Sequence, residues 1–323
     1  MRLLKLVPDN TNIDFVRLRY IAFAVTTLLT IGAIALVFAR GLNMGVDFEG
    51  GLMIEEHFQT APPLDELRST IDGLNVGDVA LQPFGDPKVI SIRLPQPPGT
   101  DEGRTNAVVK KVETAVAAKF PGAEFAKYDT VSGKVSDELI HRGIMAVLVA
   151  IFAIGLFAIF RFEWQFGIST VVAILHDVLM TLGFFALTQL QFDLNIVAAV
   201  LTIIGYSIND KIVIDDRIRE NMRRYRKMEM REIVNLSVNE TLPRTVMTSL
   251  TVILALGALL LFGGFVLHGF TAAMILGVIV GTYSSIYVSS SLLITLGLKP
   301  QPNAPVKAKG PASGAERIPR EGY

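Results

Sequence analysis

The stretch Leu201-Thr202-Ile203-Ile204-Gly205-Tyr206-Ser207-Ile208-Asn209-Asp210 sets a carboxylic acid inside an apolar run that continues through Ile212, Val213 and Ile214. The run from about 195 to 214 matches the ~20 residues a helix needs to cross a bilayer. An ionisable group there costs roughly 2.5–3.5 kcal/mol even on the mild insertion scale, so it is expected to meet water or a partner. Asp210 lies about six residues past the middle of the run, roughly 9 Å along the axis at 1.5 Å per residue. Two readings follow. One is an interior-facing acid that carries protons; the other is a polar helix end at the headgroups. Lys211 favours the second, because its stem can snorkel to water. Asn209 is adjacent to the acid, and Ser207 stands three positions earlier on a nearby face.

Five further runs qualify as spans, at about 20–38, 143–160, 166–187, 246–265 and 270–297. The first is longer than the apolar core of a secretory signal and reads as an uncleaved anchor, although Val37 and Ala39 weakly mimic a cleavage site. The bulk numbers agree with a membrane protein: 323 residues, 51% hydrophobic, mean hydropathy +0.47. Thirty basic and thirty acidic side chains cancel, which points to no nucleic-acid partner. No cysteine is present, so disulfides, thiolate catalysis and cysteine-built metal sites are excluded. His57, His141, His176 and His268 show no metal-ligand spacing.

Charge distribution sets the topology. Arg217, Arg219, Arg223, Arg224, Arg226, Lys227, Arg231 and Arg244 crowd the segment after the fourth span, read as a basic loop over 215–245. The connections 188–194 and 263–269 carry no lysine or arginine. With six spans, every basic segment falls on one side, and both termini are expected in the cytoplasm. Residues 1–39 then form the amino terminus and first span, 40–141 an outer domain, 142–298 spans two to six, and 299–323 a Pro-, Gly-, Ala- and Lys-rich tail expected to be disordered.

The outer region reads as strand 53–58, helix 63–73, strands 79–84 and 89–94, helix 104–120 and strand 124–131. Gly85-Asp86-Pro87 reads as a turn, and Val108, Val112, Ala115 and Phe120 as the inner face of the second helix. The order β-α-β-β-α-β suggests a ferredoxin-like sandwich. Its scattered carboxylates form no triad and no phosphate cradle, so no enzyme activity, cofactor or metal is expected.

Three other features bear on chemistry. His176 and Asp177 sit near the centre of the third span. They read either as a hydrogen bond that glues two helices or as a second proton-relay group beside an imidazole that titrates near neutral pH. Arg244 opens the fifth span. It reads either as a partner that pairs with Asp210 and switches on protonation or as a positive-inside anchor. Side chains lean toward a helix amino terminus, so Arg244 leans to the cytoplasm and Asp210 away from it, and the sequence leaves their contact open. Gly277 and Gly281 form a GxxxG pair, read as ordinary packing inside the molecule.

Several strings carry a resemblance. They are Gly45-Val46-Asp47-Phe48-Glu49-Gly50-Gly51, His176-Asp177 with Leu182-Gly183-Phe184-Phe185, Leu201 to Asp210, Asp216-Arg217-Ile218-Arg219-Glu220-Asn221, and Arg244-Thr245. Together they resemble the SecF branch of the SecD/SecF family, within the resistance-nodulation-division superfamily. The resemblance covers nearly the whole chain in order. It implies a membrane bundle of six helices with one small α+β domain outside the inner membrane. It implies a SecD-like partner, the SecYEG channel, unfolded exported chains as clients, surrounding membrane lipid, and use of the proton gradient. By resemblance, Asp210 and Arg244 take part in proton conduction; the residues themselves add Asp177, His176 and Asn209 as candidate relay groups. Lys211 and Asp215 depart from the family pattern. A small-molecule or lipid exporter of the same superfamily and a non-conducting scaffold are the alternatives.

Overall fold

The computed structural model describes residues 8, 11–77, 79–84, 86–95, 102–131, 133–263 and 267–299. Among the described residues six helices are long and apolar enough to cross a membrane: Val16–Arg40, Val135–Arg161, Trp164–Thr188, Leu194–Arg224, Met230–Phe262 and His268–Thr295. In chain order the helices are α1 (Arg19–Arg40), α2 (Val46–Glu49), α3 (Leu64–Asp72), α4 (Glu102–Lys119), α5 (Gly133–Arg161), α6 (Trp164–Thr188), α7 (Leu194–Arg224) and α8 (Met230–Phe262). The sixth span is built from α9 (His268–Tyr283), a π-helical turn (Ser284–Ser289) and α10 (Ser290–Thr295).

All six expected spans are present, but α7 and α8 outrun their apolar windows. The segment 215–245, expected as a basic loop, is a helical hairpin that turns at 225–229. Hydropathy ends where the bilayer ends; a helix continues when it has something to pack on. Here Ile218 and Met222 of α7 meet Ile233, Val234 and Val238 of α8 in an apolar core that also takes in Phe15, Val16 and Leu298. Arg217 Nε donates to Glu240 Oε2 at 2.7 Å, and Asn221 Nδ2 donates to Ser237 Oγ at 3.0 Å, closing the hairpin on its polar side.

Helices α6, α7 and the sixth span form the inside of the bundle, whereas α1, α5 and α8 are mostly exposed. Phe38, Phe160 and Phe262 stand almost fully out from these outer helices. Side chains of that kind suit lipid or another apolar partner rather than water. The glycine pair packs within the molecule. A Cβ on Gly277 would lie 2.4 Å from Ile203 Cγ1, and one on Gly281 would lie 3.1 Å from Ser207 Cβ, so the sixth span approaches α7 closely at both.

The outer domain contains β1 (Gly51–His57), β2 (Ala80–Phe84), β3 (Asp86–Leu94) and β4 (Glu124–Val131). Its sheet has the order β2-β3-β1-β4 with antiparallel pairing throughout. Helices α3 and α4 bury Leu67, Ile71, Val109, Val112 and Val116 against Leu52, Ile54, Ile90 and Ile92. The inner stripe of α4 is therefore Val109, Val112 and Val116, with Ala115 and the expected Val108 to one side. Those three positions follow the i, i+3, i+7 spacing of one helix face more closely. Asp86 and Pro87, expected in the turn, belong to β3, with Asp86 opposite Phe84; residue 85 lies outside the described residues. The expected tail from 300 onward also lies outside them.

Candidate functional site

The third, fourth and sixth spans meet around Asp177. This carboxylate on α6 is fully buried. Its Oδ2 accepts hydrogen bonds from Ser207 Oγ on α7 at 2.6 Å and from Ser284 Oγ in the π turn at 3.0 Å. Its Oδ1 lies 3.0 Å from His176 Nδ1. The π turn places Ser284, Ser285 and Ser289 among the buried residues. Such a turn re-aims side chains that an unbroken α-helix would spread around its axis. His176 Nε2 is buried without a hydrogen-bond partner, so the cluster has a free position at its imidazole end.

Asp210 occupies a different sector of α7. Its residue is buried, at 4% exposure, and its Oδ2 has no hydrogen-bond partner. Arg244 acts on its charge through space, but no ion pair within 4.0 Å joins the two. The opposite lean of the two side chains accounts for the separation. Arg244 is exposed on α8. One turn before Asp210, the Tyr206 hydroxyl donates to Ser249 Oγ on α8 at 3.1 Å, and Ser249 Oγ lies 2.8 Å from Thr282 Oγ1 on α9. Asn209 does not join the acid: it is exposed, on the same outer face of α7 as Ala198, Thr202 and Gly205. A helix turns about 100° per residue, so adjacent side chains on α7 diverge.

Lys211 corrects the sequence reading most sharply. It does not snorkel to water. It is 2% exposed and points into the bundle, where its Nζ donates to Ser169 Oγ on α6 at 3.0 Å and to Ser289 Oγ of the π turn. Asp215, equally buried, offers Oδ2 at 3.3 Å. The signal for this pair was present in the sequence. Opposite charges at i and i+4 share a helix face, and Ser207 lies one turn before Lys211 on the same face.

A second part of the site lies where the outer domain meets the bundle. Gly45 N donates to Phe192 O and Phe192 N to Asn43 O, both at 2.8 Å, so the chain leading to β1 pairs with the segment leading to α7. A Cβ at Gly45 would stand 3.0 Å from Gln191 Nε2 and 3.1 Å from Asp193 Cβ, a close approach that favours glycine. Gly51, with φ +114°, opens β1. Asp47 Oδ2 accepts from Leu194 N at 3.0 Å, and Asp193 caps α7 by accepting from Ile196 N at 3.1 Å. Burial pushes the Asp193 carboxyl above its usual range, against the hydrogen bonds it accepts. Arg93 of β3 donates to Met44 O at 2.7 Å and ties the sheet to the same junction.

Six crossing helices, an outer α+β domain and ionisable groups sealed between spans define a multi-pass membrane protein. The profile of the family described as protein export membrane protein SecD/SecF, C-terminal, matches residues 111–299. The SecD/SecF GG motif matches residues 35–60. The chain is 42% identical over 309 residues to the protein translocase subunit SecF of Rhodobacter capsulatus, covering 91% of this chain and 92% of that one. It is 40% identical to the same subunit of Rickettsia prowazekii, covering 90% and 93%. The crystal structure of SecDF, a translocon-associated membrane protein from Thermus thermophilus, superposes with TM-score 0.82 at 35% identity, over 90% of this chain and 39% of that one. SecDF in a super-membrane-facing form superposes with TM-score 0.66 at 36% identity, over 89% and 39%. The chain thus spans about two fifths of each SecDF chain. The chain belongs to the SecD/SecF family of protein export membrane proteins.

Proposed function

We propose that this chain is the SecF-type subunit of a protein-export complex and works beside a SecD-like subunit. In that complex, proton movement past acids buried in its bundle would drive the outer domain. The observation that carries the reading is continuity. The face of α7 that reaches Asp177 belongs to the same helix whose amino terminus is hydrogen-bonded to the entry of β1, through Gly45, Asp47 and Phe192. A rigid helix transmits a small shift along its length. A change of charge at Asp210 or Asp177 has a route to the sheet that needs no flexible linker.

In this reading Asp210 carries the proton, and Arg244 tunes it from a distance without forming a pair. Asp177 and His176 form a second relay group, with the free Nε2 as an open position. Asn209 serves the partner-facing surface of α7. The strand order β2-β3-β1-β4 with two helical crossovers supports a ferredoxin-like outer domain. The arginine-rich end of α7 supports cytoplasmic termini in a bacterial inner membrane. The SecYEG channel and unfolded exported chains are the partners that this role requires.

The test is export in a strain that depends on this subunit. Asp210→Asn keeps the shape of the side chain and removes its titration. Export driven by the proton gradient is expected to fall about tenfold or more, in line with the loss of a positioned proton-transfer group. Normal export by Asp210→Asn and by Asp177→Asn would instead favour a scaffold that only holds the complex together. The full hydrogen bonding of Asp177 to two other spans is the observation that fits that second reading.

A further inference from the structure

The Lys211–Asp215 pair plays no part in the relay just described, yet it is among the most thoroughly buried charged groups of the chain. An ion pair in that position is not explained by stability alone. Taking both charges out of water commonly costs as much as their attraction returns, and apolar replacements of the same volume often do as well. The surroundings are also specific. Lys211 Nζ has Ser169 Oγ from α6, Ser289 Oγ from the π turn and Asp215 Oδ2 around it. Asp215 Oδ1 is buried and has no hydrogen-bond partner, so the carboxylate keeps one position open.

Ser207, Lys211 and Asp215 recur every four residues on one face of α7, about 6 Å apart along the axis. Ser284, Ser285 and Ser289 follow the same face from the sixth span. Ser285 Oγ donates to the backbone carbonyl of Ser207 at 3.4 Å, a further contact between the sixth span and this face of α7. A seam of buried polar groups therefore runs from His176 Nε2 at one end to Asp215 Oδ1 at the other, each end with an unused hydrogen-bonding position. Asp210 is on the same helix but in another sector.

We propose that Lys211 and Asp215, with Ser169 and Ser289, form a second proton station in the core of the third, fourth and sixth spans, in series with Asp177 and separate from Asp210 and Arg244. The proposal rests on the proton-driven reading of the chain. The step balances within the pair. An Nζ–H bond of the ammonium breaks and an O–H bond forms on the carboxylate, leaving a neutral amine and a neutral acid. A proton arriving along the serines restores the ammonium, and the acid releases its proton from the Asp215 end toward the arginine-rich end of α7. The transfer within the pair removes both charges together, and when arrival at the amine and release from the acid are concerted the pair returns to ammonium and carboxylate with no lone charge left in the apolar core.

The experiment is proton flux into liposomes that hold this chain together with its SecD-like subunit, read from an entrapped pH-sensitive dye under an imposed membrane potential. Four forms are compared: wild type, Asp210→Asn, Asp215→Glu and the doubly neutral Lys211→Met with Asp215→Leu. The expected result is flux in wild type, about tenfold or greater loss in Asp210→Asn and in the neutral double alike, because a transported proton passes both stations, and flux retained in Asp215→Glu, which keeps a titrating carboxyl. The double is expected to stay folded, with a thermal transition near that of wild type; Lys211→Gln with Asp215→Asn serves where it does not. Wild-type flux in a folded neutral double would overturn the proposal and leave the pair as a packing device. Loss in Asp215→Glu equal to that of the double would also overturn it. Absence of flux in wild type itself would remove the proton-driven reading, a different failure from either.

Discussion

Ser207 Oγ donates to Asp177 Oδ2 at 2.6 Å, and Gly281 of the sixth span comes closest to the same side chain, 3.1 Å from Ser207 Cβ to a Cβ added at the glycine. One small residue thus serves two ends. It satisfies a buried carboxylate across α6 and α7, and its size lets the sixth span press in close enough for Ser284 to reach the same oxygen. Ser207→Ala keeps the packing and removes one donor from a charged acceptor. The expected cost is about 1.5–3 kcal/mol, the range for hydrogen bonds to charged groups. Thermal unfolding of the purified chain in mild detergent measures it, and Ser207→Val, which also collides with Gly281, is expected to lose more.

Single neutralisation of the lysine pair is expected to cost far more than double neutralisation. Lys211→Met leaves Asp215 as a lone buried carboxylate, a loss of about 3–5 kcal/mol. Adding Asp215→Leu removes the stranded charge, and the double is expected to regain most or all of that stability. The same unfolding measurement reads both. A double variant no better than the sum of its singles would show that the two side chains do not act as a pair.

Much of the architecture was legible in the sequence because a bilayer imposes a single length scale. Six apolar runs of spanning length appear as six helices, and the alternation of strand and helix signals over 51–131 appears as the outer domain. The helical hairpin after α7 was not legible: its residues are charged on the outside, and its apolar stripe at Ile218, Met222, Ile233, Val234 and Val238 is too sparse to stand out among the arginines. At the site, sequence singled out Asp177 near the centre of a span and left Asp210 open between an interior-facing acid and a polar helix end, since an acid is costly in lipid. Which neighbours they meet depends on helix rotation, and rotation is set by packing. Asn209 and Lys211 flank Asp210 in sequence yet go to opposite environments, one outward and one into the core. The π turn that delivers Ser284, Ser285 and Ser289 to α7 carries no local signal at all.

Two glycines facing opposite ways should respond differently. A Cβ on Gly277 would lie 2.4 Å from Ile203 Cγ1 and 2.7 Å from its Cγ2, inside a close contact between the sixth span and α7. Gly277→Ala is expected to destabilise the chain by about 1–3 kcal/mol through overpacking. Gly205 has nothing within 4 Å of an added Cβ. It lies with Ala198, Thr202 and Asn209 on the exposed face of α7, a small-residue surface suited to another helix. Gly205→Leu is expected to leave the isolated chain as stable as before and to weaken recovery of the SecD-like subunit on co-purification. Unimpaired recovery with Gly205→Leu would place the partner elsewhere.

Glu56 makes the stability of the outer domain depend on pH. Strand alternation turns it to the helix-covered side of the sheet, with Leu52 and Ile54, and its Oε1 is buried with no hydrogen-bond partner. Burial first, and repulsion from Glu113 second, push its carboxyl up from the usual 4.5 to about 7, with His57 opposing. A carboxyl that holds its proton more tightly when folded favours the folded state wherever that proton is bound. The contribution is complete below pH 4.5, declines as the pH rises through the folded value near 7, and is gone above it. The chain is therefore expected to lose on the order of 1–3 kcal/mol of outer-domain stability between mildly acidic and mildly basic buffer. Glu56→Gln holds the same shape without titrating, so its unfolding midpoint should be flatter across that window and higher than wild type at the basic end. Parallel pH profiles for the two forms would mean that the folded domain already admits enough water or counter-charge to ionise Glu56 at no cost.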